Sequence, residues 1–122
     1  MNERVVCISK VLTDPDEAAG MSTHEGYFYM PVNCTVVYVS VAPLEDDSGA
    51  TLDINDDGTG VITAVSCADA DVPGTWKASG YGGTNEPVKI AAGSKVDFDL
   101  NSATAANLFY VDIWVVIGEA WA

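Results

Sequence analysis

Strict alternation of apolar and polar residues constrains this chain more than any other feature. In Ala50-Thr51-Leu52-Asp53-Ile54-Asn55, the residues Ala50, Leu52 and Ile54 fall on one side and Thr51, Asp53 and Asn55 on the other. Lys95-Val96-Asp97-Phe98-Asp99-Leu100 repeats the pattern, with Val96, Phe98 and Leu100 turned inward. A period of two belongs to strands with one buried and one wet face. Two further segments are apolar on both faces. One is 35–41, rich in β-branched residues; in the other, Phe109, Val111, Ile113, Val115 and Ile117 lie opposite Leu108, Tyr110, Asp112, Trp114 and Val116. Such strands are expected at the centre of a sheet and covered on both sides, with Trp114 packed.

Additional strands are predicted over 5–13, 26–30, 60–66 and 87–91. Turn chemistry separates them, in Asp56-Asp57-Gly58-Thr59-Gly60, Gly80-Tyr81-Gly82-Gly83 and Ala92-Gly93-Ser94. Helical patterning is confined to one short turn at Asp14-Pro15-Asp16-Glu17-Ala18-Ala19, where an N-cap precedes a proline, and to 102–107. Eight short strands with turns between them predict an all-β chain, an antiparallel two-sheet β-sandwich for which the jelly roll is one winding. With 122 residues, 48% of them hydrophobic, residues 1–122 form a single domain that buries about two thirds of its surface without metal or disulfide support.

Charge excludes whole classes of partner. Five basic and 18 acidic side chains leave a formal charge of −13. The basic residues Arg4, Lys10, Lys77, Lys89 and Lys95 are scattered and form no stripe. Nucleic acid and anionic membrane are therefore excluded as partners. The opening Met1-Asn2-Glu3-Arg4-Val5-Val6-Cys7 has no secretory pattern, and no run approaches 18 apolar residues, so cytoplasmic synthesis is expected. Cys7, Cys34 and Cys67 are widely spaced and odd in number. They read as three buried thiols, or alternatively as cross-links between subunits in an oxidising medium.

No set of residues carries catalysis. Asp53-Ile54-Asn55-Asp56-Asp57-Gly58 matches the first half of a calcium loop, with Asp53, Asn55 and Asp57 as oxygen ligands. Its twelfth position is Ala64 instead of a bidentate glutamate, and its flanks read as strands, so a tight hairpin accounts for it equally well. His24, the only histidine, falls in the polar stretch Met21-Ser22-Thr23-His24-Glu25-Gly26 and reads as a solvated loop residue. No nucleophile elbow or phosphate loop occurs, and chance pairs among 18 acids carry no weight. The chain is expected to be no enzyme and to use no cofactor.

Aromatic residues remain. Trp76, Trp114 and Trp121, with Tyr27, Tyr29, Tyr81 and Tyr110, suit either a sugar-reading face or a protein interface. Trp121, near the last residue, needs a surface to cover it. Trp121, Arg4 and Val5 are therefore the candidate interface residues.

Several stretches carry a resemblance: Thr35-Val36-Val37-Tyr38-Val39-Ser40-Val41-Ala42-Pro43, Thr51-Leu52-Asp53-Ile54-Asn55-Asp56-Asp57-Gly58, Val72-Pro73-Gly74-Thr75-Trp76 and Ile90-Ala91-Ala92-Gly93-Ser94 with the closing strand. In their style of strand and turn they resemble the capsid decoration, or cement, proteins of tailed bacteriophages. The likeness covers most of the chain after residue 34 and includes no diagnostic motif. It implies a β-sandwich, commonly trimeric, that binds the major capsid protein on the outer capsid surface and stabilises the shell. No functional residue transfers position by position. Asp53, Asp97 and Asp99 with Glu45-Asp46-Asp47 would supply a charged coat that keeps particles apart. The alternative is a carbohydrate- or receptor-binding module of a fibre or adhesin. Because Ala64 removes the strongest calcium ligand, chelation is expected to leave thermal unfolding unchanged. A melting temperature several degrees higher in saturating calcium would reveal a site.

Overall fold

A computed structural model describes residues 4–13, 24–103 and 108–117. Nine strands follow one another: β1 (Arg4–Thr13), β2 (His24–Tyr29), β3 (Cys34–Pro43), β4 (Thr51–Asp56), β5 (Thr59–Ser66), β6 (Gly74–Lys77), β7 (Val88–Ile90), β8 (Lys95–Asn101) and β9 (Leu108–Ile117). One sheet has the order β1-β9-β3-β6, with β7 also paired to β3; the other has the order β2-β8-β4-β5. Each paired set is antiparallel.

The pairing is nested about the β4–β5 turn. Outward from that turn, β3 pairs with β6 and β7, β2 pairs with β8, and β1 pairs with β9. The chain thus behaves as one long hairpin rolled into two sheets, which is the winding of a jelly roll. β6 and β7 are two pieces of one edge strand. They lie along successive stretches of β3, with Gly74 opposite Val41 and Ile90 opposite Cys34. Counted this way, the eight expected strands are present. The piece that sequence reading lacked is β6, because only four residues follow Val72-Pro73 before the chain leaves the edge.

The alternating segments behave as their period requires. Leu52, Ile54, Val96, Phe98 and Leu100 from one sheet meet Val36, Val39, Val41, Phe109, Val111, Ile113 and Val115 from the other in a single core. The tip of the β4–β5 hairpin is a two-residue turn in which Asp57 (φ 50) and Gly58 (φ 88) are both left-handed. That is the turn whose twist matches the flanking strands, and the Asp-Gly pair supplies it. Ala64 (φ 58) marks a bulge on β5, where the register shifts between Leu52 and Ile54.

Three expectations change. His24 is not in a loop but opens β2, paired with Asp99, since the edge of β8 offers that backbone a partner. Ser102 (φ 61) is left-handed, so no helix starts there. Asp47 does not join the charged coat. It is buried, with its N–H donating to Ala68 O at 2.8 Å and its carbonyl accepting from Ala50 N–H at 3.1 Å. The short turn at 14–19 and residues 104–107 of the 102–107 candidate lie outside the described residues.

Gly74 is where the chain crosses against β5. A Cβ there would sit 1.6 Å from the Ser66 carbonyl oxygen, a backbone atom that cannot step aside. Gly74→Ala is expected to lower stability by about 2–3 kcal/mol in urea unfolding. Gly60→Ala is the control. Its Cβ would meet only the Thr63 side chain at 3.4 Å and Asn55 Oδ1 at 3.5 Å, and it should change stability by about 0.5 kcal/mol.

Candidate functional surface

Residues paired across neighbouring strands share a face, so the register gives the outer surface of each sheet row by row. On the β1-β9-β3-β6 sheet, Cys7, Trp114, Tyr38 and Lys77 form one row, and Ser9, Asp112, Ser40 and Thr75 the next. Val11, Tyr110 and Ala42 form a third. Val5, Val116 and Thr35 flank the first row on its other side. This face is mainly apolar and aromatic, and much of it is open. Val5 is 57% exposed, Tyr110 48% and Trp114 39%. The expectation that Trp114 is packed is therefore overturned. β9 is central and hydrogen-bonded on both sides, but among the described residues no layer covers its outer row at Tyr110 and Trp114.

Tyr38 reaches this face because of a bulge. Regular alternation from the buried Val36 would turn Tyr38 inward, but the β3–β9 register shifts between Val36 and Tyr38. The extra residue, Val37, is buried with Ala78 and Val116 in a small satellite cluster, and its carbonyl accepts from Ala78 N–H at 2.9 Å. Alternation resumes with Val39 and Val41 in the core, leaving Tyr38 and Ser40 outside.

The excursion between β6 and β7 forms a wall beside this point. Isolated bridges join Ala78 to Asn85 and Ser79 to Gly83. Tyr81 N–H donates to Ala78 O at 2.9 Å, and Asn85 Nδ2 donates to Lys77 O at 2.8 Å. A Cβ on Gly83 would lie 2.0 Å from Lys77 O, so only glycine permits this close return. The result is an open groove of about 420 Å³ lined by Val5, Val37, Tyr38, Ser40, Tyr81, Asp112 and Trp114. Within it, Asp112 Oδ1 accepts from Ser9 Oγ at 2.6 Å.

The other sheet presents the opposite chemistry. Asp53, Asp97 and Asp99 share its outer face. Asp53 Oδ1 accepts from Ala64 N–H at 2.7 Å and Oδ2 from Asn101 Nδ2 at 3.2 Å. Asn55 Nδ2 donates to Asp99 Oδ2 at 3.1 Å, and Asp57 Oδ1 accepts from Lys95 N–H at 2.8 Å. The oxygens of the partial calcium motif thus tie β4 to β5 and β8, and Asp53 and Asn55 stand on a strand instead of a loop. Among the described residues no group of three or more His, Cys, Asp or Glu side chains is placed to hold a metal ion. At the edge of this face Tyr27 and Tyr29 meet edge to face at 5.8 Å, with Lys95 Nζ 4.6 Å from the Tyr27 centroid.

Of the candidate interface residues, Val5 lines the groove, Arg4 is exposed at the start of β1 opposite Ile117, and Trp121 lies outside the described residues. Sequence reading did not single out Tyr38, and it grouped Tyr81 and Trp114 only within a wider aromatic set. The available signal was the outer parity of β9, where Tyr110 and Trp114 flank an aspartate that a fully covered row would not tolerate.

Fold and surface together define a class: a small jelly-roll sandwich with one acidic face and one open aromatic face. Among solved structures, a chain of the "Cyanophage Pam1 capsid asymmetric unit" is similar to it, at 20% sequence identity and a TM-score of 0.58. The similarity covers 94% of this chain and 83% of that chain, and at this identity it is a likeness of fold. No protein-family model matches the chain, and no curated protein sequence does.

The thiols divide by environment. Cys34 and Cys67 are fully buried, as expected. Burial, with a smaller contribution from Asp56, pushes the Cys34 thiol up to about 11. Burial, with Asp47 beside it, pushes Cys67 up to about 12. Cys7 departs from the expectation, because β1 turns it to the outer face, where it is only half-buried and its Sγ lies 3.9 Å from Ser9 Oγ. At pH 8 Cys34 and Cys67 stay protonated and shielded. Iodoacetamide should therefore alkylate Cys7 alone in the native protein, and all three in urea, as read by peptide mass mapping. Equal labelling of Cys67 in the native state would contradict this packing.

Proposed function

We propose that the protein is a non-enzymatic structural component of a phage virion, a decoration protein that binds the major capsid protein on the outer surface of the shell and stabilises it. The observation that carries this reading is the fold likeness to a chain of a phage capsid asymmetric unit, which runs along 94% of the chain. The two faces support it. An open aromatic face suits a protein partner, since Trp and Tyr anchor interfaces. An acidic face turned outward would keep particles apart in solution, and the charge of −13 keeps the protein off packaged nucleic acid. Homo-oligomerisation, with a trimer favoured, and grip by Arg4, Val5 and Trp121 belong to the same proposal.

A second reading, a carbohydrate- or receptor-binding module, draws on the exposed Tyr27–Tyr29 pair. Copy number in purified particles separates the two, because decoration requires many copies per shell and a fibre few. Co-sedimentation with undecorated shells then tests the grip. Trp121→Ala should stay folded and lose about thirtyfold in affinity, the cost of one truncated aromatic anchor. Wild-type protein that ignores shells but binds a glycan array would overturn the decoration reading in favour of the second.

A further inference from the structure

We propose that the groove on the outer face of the β1-β9-β3 sheet is a socket for an arginine side chain presented by a partner protein. The inference rests on the virion reading only for the identity of that partner. Its basis is the chemistry that converges in the groove. Trp114 and Tyr38 are register partners, which places their Cβ atoms about 5 Å apart. Tyr81 enters from the braced excursion and adds a third ring. One step along β9, about 7 Å away, stands Asp112. Ser9 holds its Oδ1, and Oδ2 has no hydrogen-bond partner among the described residues. Among the described residues Asp112 is the only charged side chain lining the groove.

Aromatic walls with one carboxylate are the composition that recognises a cation. Three features select arginine. A guanidinium is planar and weakly hydrated, so it can lie against Trp114 and Tyr38 while an N–H reaches the carboxylate; an ammonium sheds its water less readily. A volume of about 420 Å³ exceeds one guanidinium and leaves room for an aliphatic stem against Val5 and Val37. Charge complementarity supplies the third. A protein at −13 draws a cation from a distance, whereas an acidic or phosphorylated group would meet repulsion from both the protein and Asp112. Tyr38 already lies near one cation, Lys77 Nζ at 5.9 Å from its centroid, but Lys77 does not line the groove. A neutral sugar could stack on the same rings without using the carboxylate's charge. That is the competing outcome.

The test is a titration of the full isotope-labelled chain with acetyl-Gly-Arg-Gly-amide, followed by NMR. The expected result is a shift of the Trp114 indole N–H, assigned through Trp114→Phe, and of the Tyr81 backbone amide. The matching citrulline peptide, equal in shape but uncharged, should bind about tenfold more weakly, and Asp112→Asn should cause a similar loss without changing thermal unfolding. Tyr81→Ala, a change on the exposed excursion, should weaken binding too. Equal binding of the citrulline peptide, undiminished binding in Asp112→Asn, or shifts from methyl β-glucoside where the arginine peptide gives none would each overturn the socket. Co-sedimentation with undecorated shells separates this inference from the virion reading. If the chain takes the arginine peptide but ignores shells, the socket stands and the virion reading fails. If the chain binds shells but shows no charge-dependent binding of the arginine peptide, the socket fails and the virion reading stands.

Discussion

The pairing of β3 with β9 is the contact on which the rest of the molecule depends. These two ten-residue strands sit at the centre of one sheet, and each carries a further partner on its other side. Their inner rows, Val36, Val39 and Val41 against Val111, Ile113 and Val115, form one wall of the core. Their outer rows form the floor of the groove. A single extra residue, Val37, sets which side chains serve which purpose. Without that bulge the side-chain order beyond Val36 would reverse, pushing Tyr38 into the core and Val39 onto the surface. Core packing and surface chemistry are thus tied to the same backbone irregularity.

The bulge also explains why the neighbouring edge strand is in two pieces. β6 pairs with β3 from Tyr38 to Val41 and β7 from Cys34 to Val36, so the gap falls at Val37. The chain uses that gap to leave the sheet, and it returns through the close contact at Gly83. Tyr81 is carried to the groove by this detour. Core and groove therefore share strands but not side chains: substitutions confined to Tyr81, Trp114 or Asp112 leave the inner wall of valines and isoleucines intact.

Charge is separated by layer. Asp53, Asp97 and Asp99 crowd the outer face of the β2-β8-β4-β5 sheet, where Asn55, Asn101 and the Ala64 N–H supply donors that offset their mutual repulsion. Among the described residues the opposite face lines its groove with one aspartate. A particle coated by such molecules would present acids to solvent and aromatic groups to the surface beneath. That orientation is part of the proposed virion role.

Much of this was legible in one dimension. Alternation in 50–55 and 95–100 identified the strands and their inward residues, because a period of two leaves a side chain only two directions. Asp57-Gly58 announced a tight turn, since few residues accept two left-handed positions in succession. The outer rows were not legible. An apolar residue on a central strand reads the same whether a layer covers it or solvent does, so Trp114 was expected inside. β6 and the bulge at Val37 also escaped, because a run of valines carries no mark of where alternation slips. The sequence by itself determined the all-β class, the inner faces and the acidic balance, all properties of local pattern and composition. Tertiary structure decided the strand order, the parity of β3 beyond Val36 and the meeting of Tyr38, Tyr81, Asp112 and Trp114. Those depend on which distant strands lie side by side, and no spacing along the chain records that.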